Sequence, residues 1–111
     1  MRIGSIVWGV KNIEKTAEFW SRALDYRLSR MTVNWAVLEP KSGDGIEMCL
    51  SKVISDKAKR HHIDLYTDNQ KGDVERLLAL GATKADWNYP PGADFVVLRD
   101  PDGNPFCVVQ R

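Results

Sequence analysis

A strand pattern, a Pro/Gly/Asp turn and a second strand pattern occur twice in this 111-residue chain. Trp35-Ala36-Val37-Leu38 leads into Glu39-Pro40-Lys41-Ser42-Gly43-Asp44-Gly45, and the apolar pattern resumes with Ile46-Glu47-Met48-Cys49. Phe95-Val96-Val97-Leu98 leads into Asp100-Pro101-Asp102-Gly103-Asn104 and resumes with Pro105-Phe106-Cys107-Val108-Val109, 60 positions later. Upstream, Asn12 and Asn69 each stand before a helix-like segment, 57 positions apart. Apolar runs bounded by such residues read as hairpins, and an internal repeat sets the architecture before individual residues are considered. The repeat also pairs positions across the halves, where a site would be built.

Each half has the same order. Arg2 to Val10 is rich in Ile, Val and Trp and predicts a strand. Asn12 is a good N-cap, and Ile13, Ala17, Trp20 and Leu24 then recur at helical spacing. Tyr26 to Val33 is a weaker strand, followed by the strand pair around Lys41 to Gly45. In the second half, His62 to Tyr66 alternates as a strand, and Asp68 or Asn69 caps a helix carrying Val74, Leu77, Leu78 and Leu80, which Gly81 ends. Thr83 to Trp87 predicts a further strand, and Asn88-Tyr89-Pro90-Pro91-Gly92 a loop, because two prolines cannot sit inside a ladder. The expectation is an α+β chain of two βαβββ modules, about 1–52 and 60–111, joined by a connector at 53–59 that includes the basic cluster Lys57 to Arg60. One domain of this length buries a core, whereas each half alone would be marginal.

Charge and composition exclude several functions. A net charge of +1 leaves no electrostatic footprint for nucleic acid. No apolar run approaches the roughly 20 residues a membrane helix requires, and no basic-then-apolar leader opens the chain. Cys49 and Cys107, without metal-type spacing, read as reduced thiols of a cytoplasmic protein. No phosphate-cradling glycine loop, nucleophile elbow or His-Glu-x-x-His motif is present.

The stretches His62-Ile63-Asp64-Leu65-Tyr66-Thr67-Asp68, Leu80-Gly81-Ala82 and Phe95 through Asn104, with its Asp-Pro-Asp-Gly-Asn turn, resemble the vicinal oxygen chelate superfamily. That group includes glyoxalase I, extradiol dioxygenases and bleomycin-resistance proteins; Phe106-Cys107 resembles its glyoxalase-like branch. The resemblance spans the whole chain. It implies modules whose mixed sheet curls into a cup, pairing into a homodimer, and a divalent metal held by the first and last strands of each module. Carried over by the repeat, the metal positions are Ser5, Glu47, His62 and Cys107. His62 and Glu47 are the matching metal candidates. Ser5 is a poor ligand, and Cys107 replaces a carboxylate with a soft thiolate that favours Zn or Fe over Mg or Mn. A Glu47-His62-Cys107 zinc site stays open beside a core histidine and a buried, inert cysteine.

Alternation assigns the strand faces without the family. Glu47 and Cys49, His62, Asp64 and Tyr66, Cys107 and Val109, and Ser5, Val7 and Gly9 share the open face; Ile46, Met48, Ile63, Leu65, Phe106 and Val108 form an apolar set facing the helices. His61 points away from His62. Trp8 and Trp20 read as core; Trp35 and Trp87 are as apt to stack on a planar ligand as to pack. The ligand-binding set is therefore His62, Glu47, Asp64, Tyr66, Trp35 and Cys107, and the first expectation is a small-molecule-binding protein with a degenerate metal site. The alternative is a metal-dependent lyase, isomerase or dioxygenase acting on adjacent oxygens with Zn, Fe or Mn.

Overall fold

The computed structural model describes residues 1–42, 44–54 and 61–111. Gly43, the cluster Lys57 to Arg60 and most of the connector expected at 53–59 lie outside the described residues. The chain forms two compact units, Ser5–His61 and Met1–Gly4 with His62–Arg111.

The first unit runs β1 (Arg2–Val10, from Ser5 onward), α1 (Ile13–Leu24), β2 (Tyr26–Met31), β3 (Trp35–Pro40) and β4 (Glu47–Lys52). Its strands lie in the order β2-β3-β4-β1, with β1 and β4 parallel and the other pairs antiparallel. Helix α1 starts where Asn12 accepts the Lys15 N–H at 2.9 Å, with Glu14 in its first turn, where the helix dipole favours a negative charge. It stops at Asp25, whose φ of 55° is left-handed, a conformation that a short polar side chain tolerates. Ile13 and Ala17 pack against Val10, Ala36, Leu38, Met48 and Leu50, with Trp8, Trp20 and Tyr26 at the margin. The helix thus covers Ala36 and Leu38 of β3, and alternation turns Trp35 and Val37 to the opposite face.

The second unit runs β5 (His62–Thr67), α2 (Gln70–Ala79), β6 (Thr83–Lys84), β7 (Phe95–Arg99) and β8 (Pro105–Gln110), ordered β5-β8-β7-β6. Here β5 and β8 are parallel, and β7 is antiparallel to β6 and β8. Val74 of α2 packs on Leu98 and Val108, bordered by Leu77, Leu78, Ala82, Val96 and Phe106. Each unit is therefore mixed α+β and reads β-α-β-β-β, as the repeat predicts. No described helix is long and apolar enough to cross a membrane.

Two expectations change. Strand β6 ends at Lys84, so Trp87 lies in a loop rather than a strand. Ala85 still donates its N–H to the Val97 carbonyl at 3.1 Å, but the chain then turns toward Pro90-Pro91. The Tyr89 hydroxyl takes over, accepting the Val97 N–H at 2.8 Å and completing a strand edge that the backbone has left.

The second change concerns the repeat itself. Val7 pairs with Cys49 and Cys49 with Val37; Asp64 pairs with Cys107 and Cys107 with Val97. Cys107 therefore corresponds to Cys49, and the pairing of Cys107 with Glu47 in the sequence-based mapping is two residues out of step. The slip arises in the turns. Arg99 pairs with Pro105, so five residues separate the partners. On the first hairpin's Leu38–Met48 register, Glu39 and Glu47 would be the matching pair, with a turn two residues longer.

Candidate functional site

The second unit gathers the chemistry. On β5, His62, Asp64 and Tyr66 share one face; on β8, Cys107 shares it, because Phe106 and Val108 are taken into the core under α2. The parallel register sets Asp64 directly beside Cys107, and His62 is one pleat further along β5. His62, Asp64 and Cys107 each present one donor atom, all within 4.8 Å of one another. The His62 Nε2 is 3.4 Å from the Asp64 carboxylate, and the two side chains stay 27% and 15% exposed, so the cluster is sheltered but reachable by solvent.

Burial and then the neighbouring Asp64 carboxylate push the Cys107 thiol up to about 12. The thiol is therefore neutral near pH 7, donating its proton to Asp64. A nucleophile needs the thiolate, so burial first, and the Asp64 carboxylate second, hold Cys107 in its unreactive thiol form.

Tyr66 is differently employed. It is 6% exposed, and its ring lies against Gly4 so closely that a Cβ there would collide with it. The Arg2 and Arg111 guanidinium carbons stand 5.3 and 4.2 Å from its ring centroid, a cation–π arrangement that uses the ring within the protein.

The first-unit candidates are placed separately. Glu47 pairs with Ser5, and Trp35 with Ser51, on the face away from α1. Ser5 is fully buried, whereas Glu47 and Trp35 are half-buried. His61 has a structural task that the sequence reading did not see. Its ring stacks on Trp8 at 3.8 Å and 5°, and its Nδ1 accepts the Gly9 N–H at 3.2 Å, which requires the tautomer protonated at Nε2 when neutral. Trp87 is 45% exposed in its loop.

The match to the Glyoxalase-like domain family model extends over residues 5–109. The chain belongs to that family. Fold and family together place it in the vicinal oxygen chelate superfamily. A glyoxalase/bleomycin resistance protein/dioxygenase superfamily member from Vibrio splendidus 12B01 is similar at 14% identity and a TM-score of 0.64, covering 96% of this chain and 97% of that one. The Mn(II)-bound glyoxalase from Novosphingobium aromaticivorans matches at 22% identity and 0.70, with 98% of this chain on 38% of that one. Homoprotocatechuate 2,3-dioxygenase from Brevibacterium fuscum matches at 17% and 0.66, with 100% of this chain on 36% of that one. At these identities the likeness is one of fold. Among curated proteins none matches the sequence.

A divalent metal is what such a family implies, and the donors here can be tested against it. An imidazole, a carboxylate and a thiol do not suit a hard cation such as Mn or Mg, which prefers oxygen. They do suit zinc, whose tetrahedral bonds of about 2.0–2.3 Å would set its ligands roughly 3.5 Å apart. The donors need to close by only about 1 Å.

Proposed function

We propose that this chain is a small-molecule-binding protein of the glyoxalase/bleomycin resistance type, with the family's hard-metal set degenerate and a ligand received on the face that carries His62, Asp64 and Cys107. The observation that carries this reading is the state of Cys107. Where the resemblance expects a carboxylate, the chain has a thiol pushed up to about 12, a neutral group near pH 7. His62 supplies a ring nitrogen beside it, 3.4 Å from the Asp64 carboxylate. We further propose a cytoplasmic homodimer, because paired copies would cover exposed apolar residues such as Ile3 and Ile63.

The test is a thermal-shift screen of small planar and carboxylate-bearing compounds in chelator, with hits titrated into the unaltered protein and into His62→Ala. Affinity for a hydrogen-bond-accepting ligand is expected to fall about tenfold or more in His62→Ala, the loss of one sheltered hydrogen bond. Affinity unchanged in the variant would remove His62 from the site. Glu47→Ala and Trp35→Ala ask separately whether the first module contributes.

A second reading is favoured by the convergence of three donors within 4.8 Å. It is a metal-dependent lyase, isomerase or dioxygenase. A bound divalent ion would act as a Lewis acid on a substrate with adjacent oxygens. His62, Asp64 and Cys107 would hold and orient it.

A further inference from the structure

We infer that the second module by itself forms a zinc site, with His62, Asp64 and Cys107 as its three protein ligands and neither Glu47 nor Ser5 taking part. The sequence offered Glu47, His62 and Cys107. The backbone replaces the carboxylate: Asp64 is the ladder neighbour of Cys107 and lies on the His62 face of β5. All three donors come from two adjacent parallel strands of one unit and already lie within 4.8 Å. Small rotamer changes bring them to a common ion.

The donor types choose the ion. Thiolate and imidazole select zinc, or cobalt as its stand-in, over manganese or magnesium. Three protein ligands leave a fourth position for water or a substrate atom, the pattern of catalytic rather than structural zinc. The partial exposure of His62 and Asp64 gives the ion a way in. Binding forms a metal–sulfur bond as the Cys107 S–H bond breaks, and the proton passes to solvent. The Asp64 carboxylate, engaged by the cation, then no longer opposes the thiolate.

This inference is independent of the organic-ligand reading, because it is tested with metal alone. The full-length protein, freed of metal with chelator, is titrated with Co(II) and, in competition with a chromophoric chelator, with Zn(II). One ion per chain is expected, with a thiolate-to-cobalt charge-transfer band in the near ultraviolet. Cys107→Ser should abolish the band. His62→Ala and Asp64→Asn should each weaken zinc by more than about a hundredfold, beyond the 10–100-fold typical of an outer-shell partner. Glu47→Gln, Ser5→Ala and Cys49→Ser should leave affinity within about twofold, and excess Mn(II) should not displace cobalt. Circular dichroism and melting curves establish that each variant is folded. No band, a band lost with Cys49→Ser instead, or metal lost with Glu47→Gln would overturn the assignment. Any of these would leave the chelator-treated ligand titration above untouched.

Discussion

The two modules share a fold and differ in their chemistry. Both begin with a strand, an Asn-capped helix and a parallel return strand, and both put a cysteine at the same register position. In the first module Cys49 stands beside Val7; in the second Cys107 stands beside Asp64. The faces follow suit: Ser5, Val7 and Gly9 on β1 correspond to His62, Asp64 and Tyr66 on β5. One face is small and nearly neutral and the other is large and titratable. Since a repeated backbone tolerates either, the fold alone does not locate function. The proposed site rests on side chains of the second module, His62, Asp64 and Cys107.

The sharpest way to break this contrast is to exchange the charge. Val7 is 1% exposed, so Val7→Asp puts an ionisable group where no imidazole stands beside it on β1. The expected cost is about 3 kcal/mol or more, read from urea unfolding. The reciprocal Asp64→Asn keeps the shape and removes a charge from a solvent-reachable pair with His62, and should cost less than about 1 kcal/mol. Equal costs would show that the two faces are not the different environments described. Gly4→Ala comes next. A Cβ at residue 4 would strike the Tyr66 ring, so about 1–3 kcal/mol of overpacking is expected, and Tyr66→Phe should not relieve it because the ring remains.

The two helix starts separate by a smaller margin. In α1 the Asn12 side chain accepts from the Lys15 N–H at 2.9 Å, and Asn12→Ala should cost about 1 kcal/mol. In α2 the Asn69 cap to the Gly72 N–H is longer, 3.3 Å, and the terminus has other partners. Gln110 Oε1 accepts from the Gln70 N–H, and Thr67 Oγ1 accepts from the Asn69 N–H while donating to Asp73. That Thr67 bond, ahead of the nearby Arg76 charge, holds the Asp73 carboxyl below the usual range. Asn69→Ala should therefore cost about half as much, measured by the same unfolding midpoints.

Much of this was readable in the sequence because local and global signals agree. The Pro/Gly/Asp turns, the two capping asparagines and the alternation of β5 and β8 gave the modules, and they put His62, Asp64 and Cys107 on one face. What the sequence reading lost was register. Turn length is not visible to a matching of turn composition, so the longer first turn shifted the Cys107 counterpart from Cys49 to Glu47. A signal was available: Met48-Cys49-Leu50 and Phe106-Cys107-Val108 are both a cysteine between two core-facing apolar residues, and aligning them restores the step. The roles of Tyr66 and His61 were hidden for a different reason. Each depends on long-range partners, Gly4 for one and Trp8 with Gly9 for the other, which no local pattern announces.

The smallest expected effect sets one cysteine against the other through pH. The folded Cys107 thiol is raised from 9.0 to about 12, by burial first and by Asp64 second. Between those values an unfolded chain has lost that proton while the folded chain keeps it. The unfolded state then binds fewer protons, so stability falls as pH rises. Below about pH 9 the contribution is complete and flat, and it is lost as pH climbs toward 12. Comparing urea midpoints at about pH 8 and pH 10 should show a loss below about 1 kcal/mol, once screening at a partly exposed site is allowed for. Cys107→Ala should remove that part of the slope. Asp64→Asn should shrink it without abolishing it, since burial, the larger cause, remains. Cys49→Ala should leave the Cys107 part in place. A slope unchanged by Cys107→Ala would mean that the thiol does not carry the burden the structure assigns to it. The contrast between the modules would then rest on His62 and Asp64 alone.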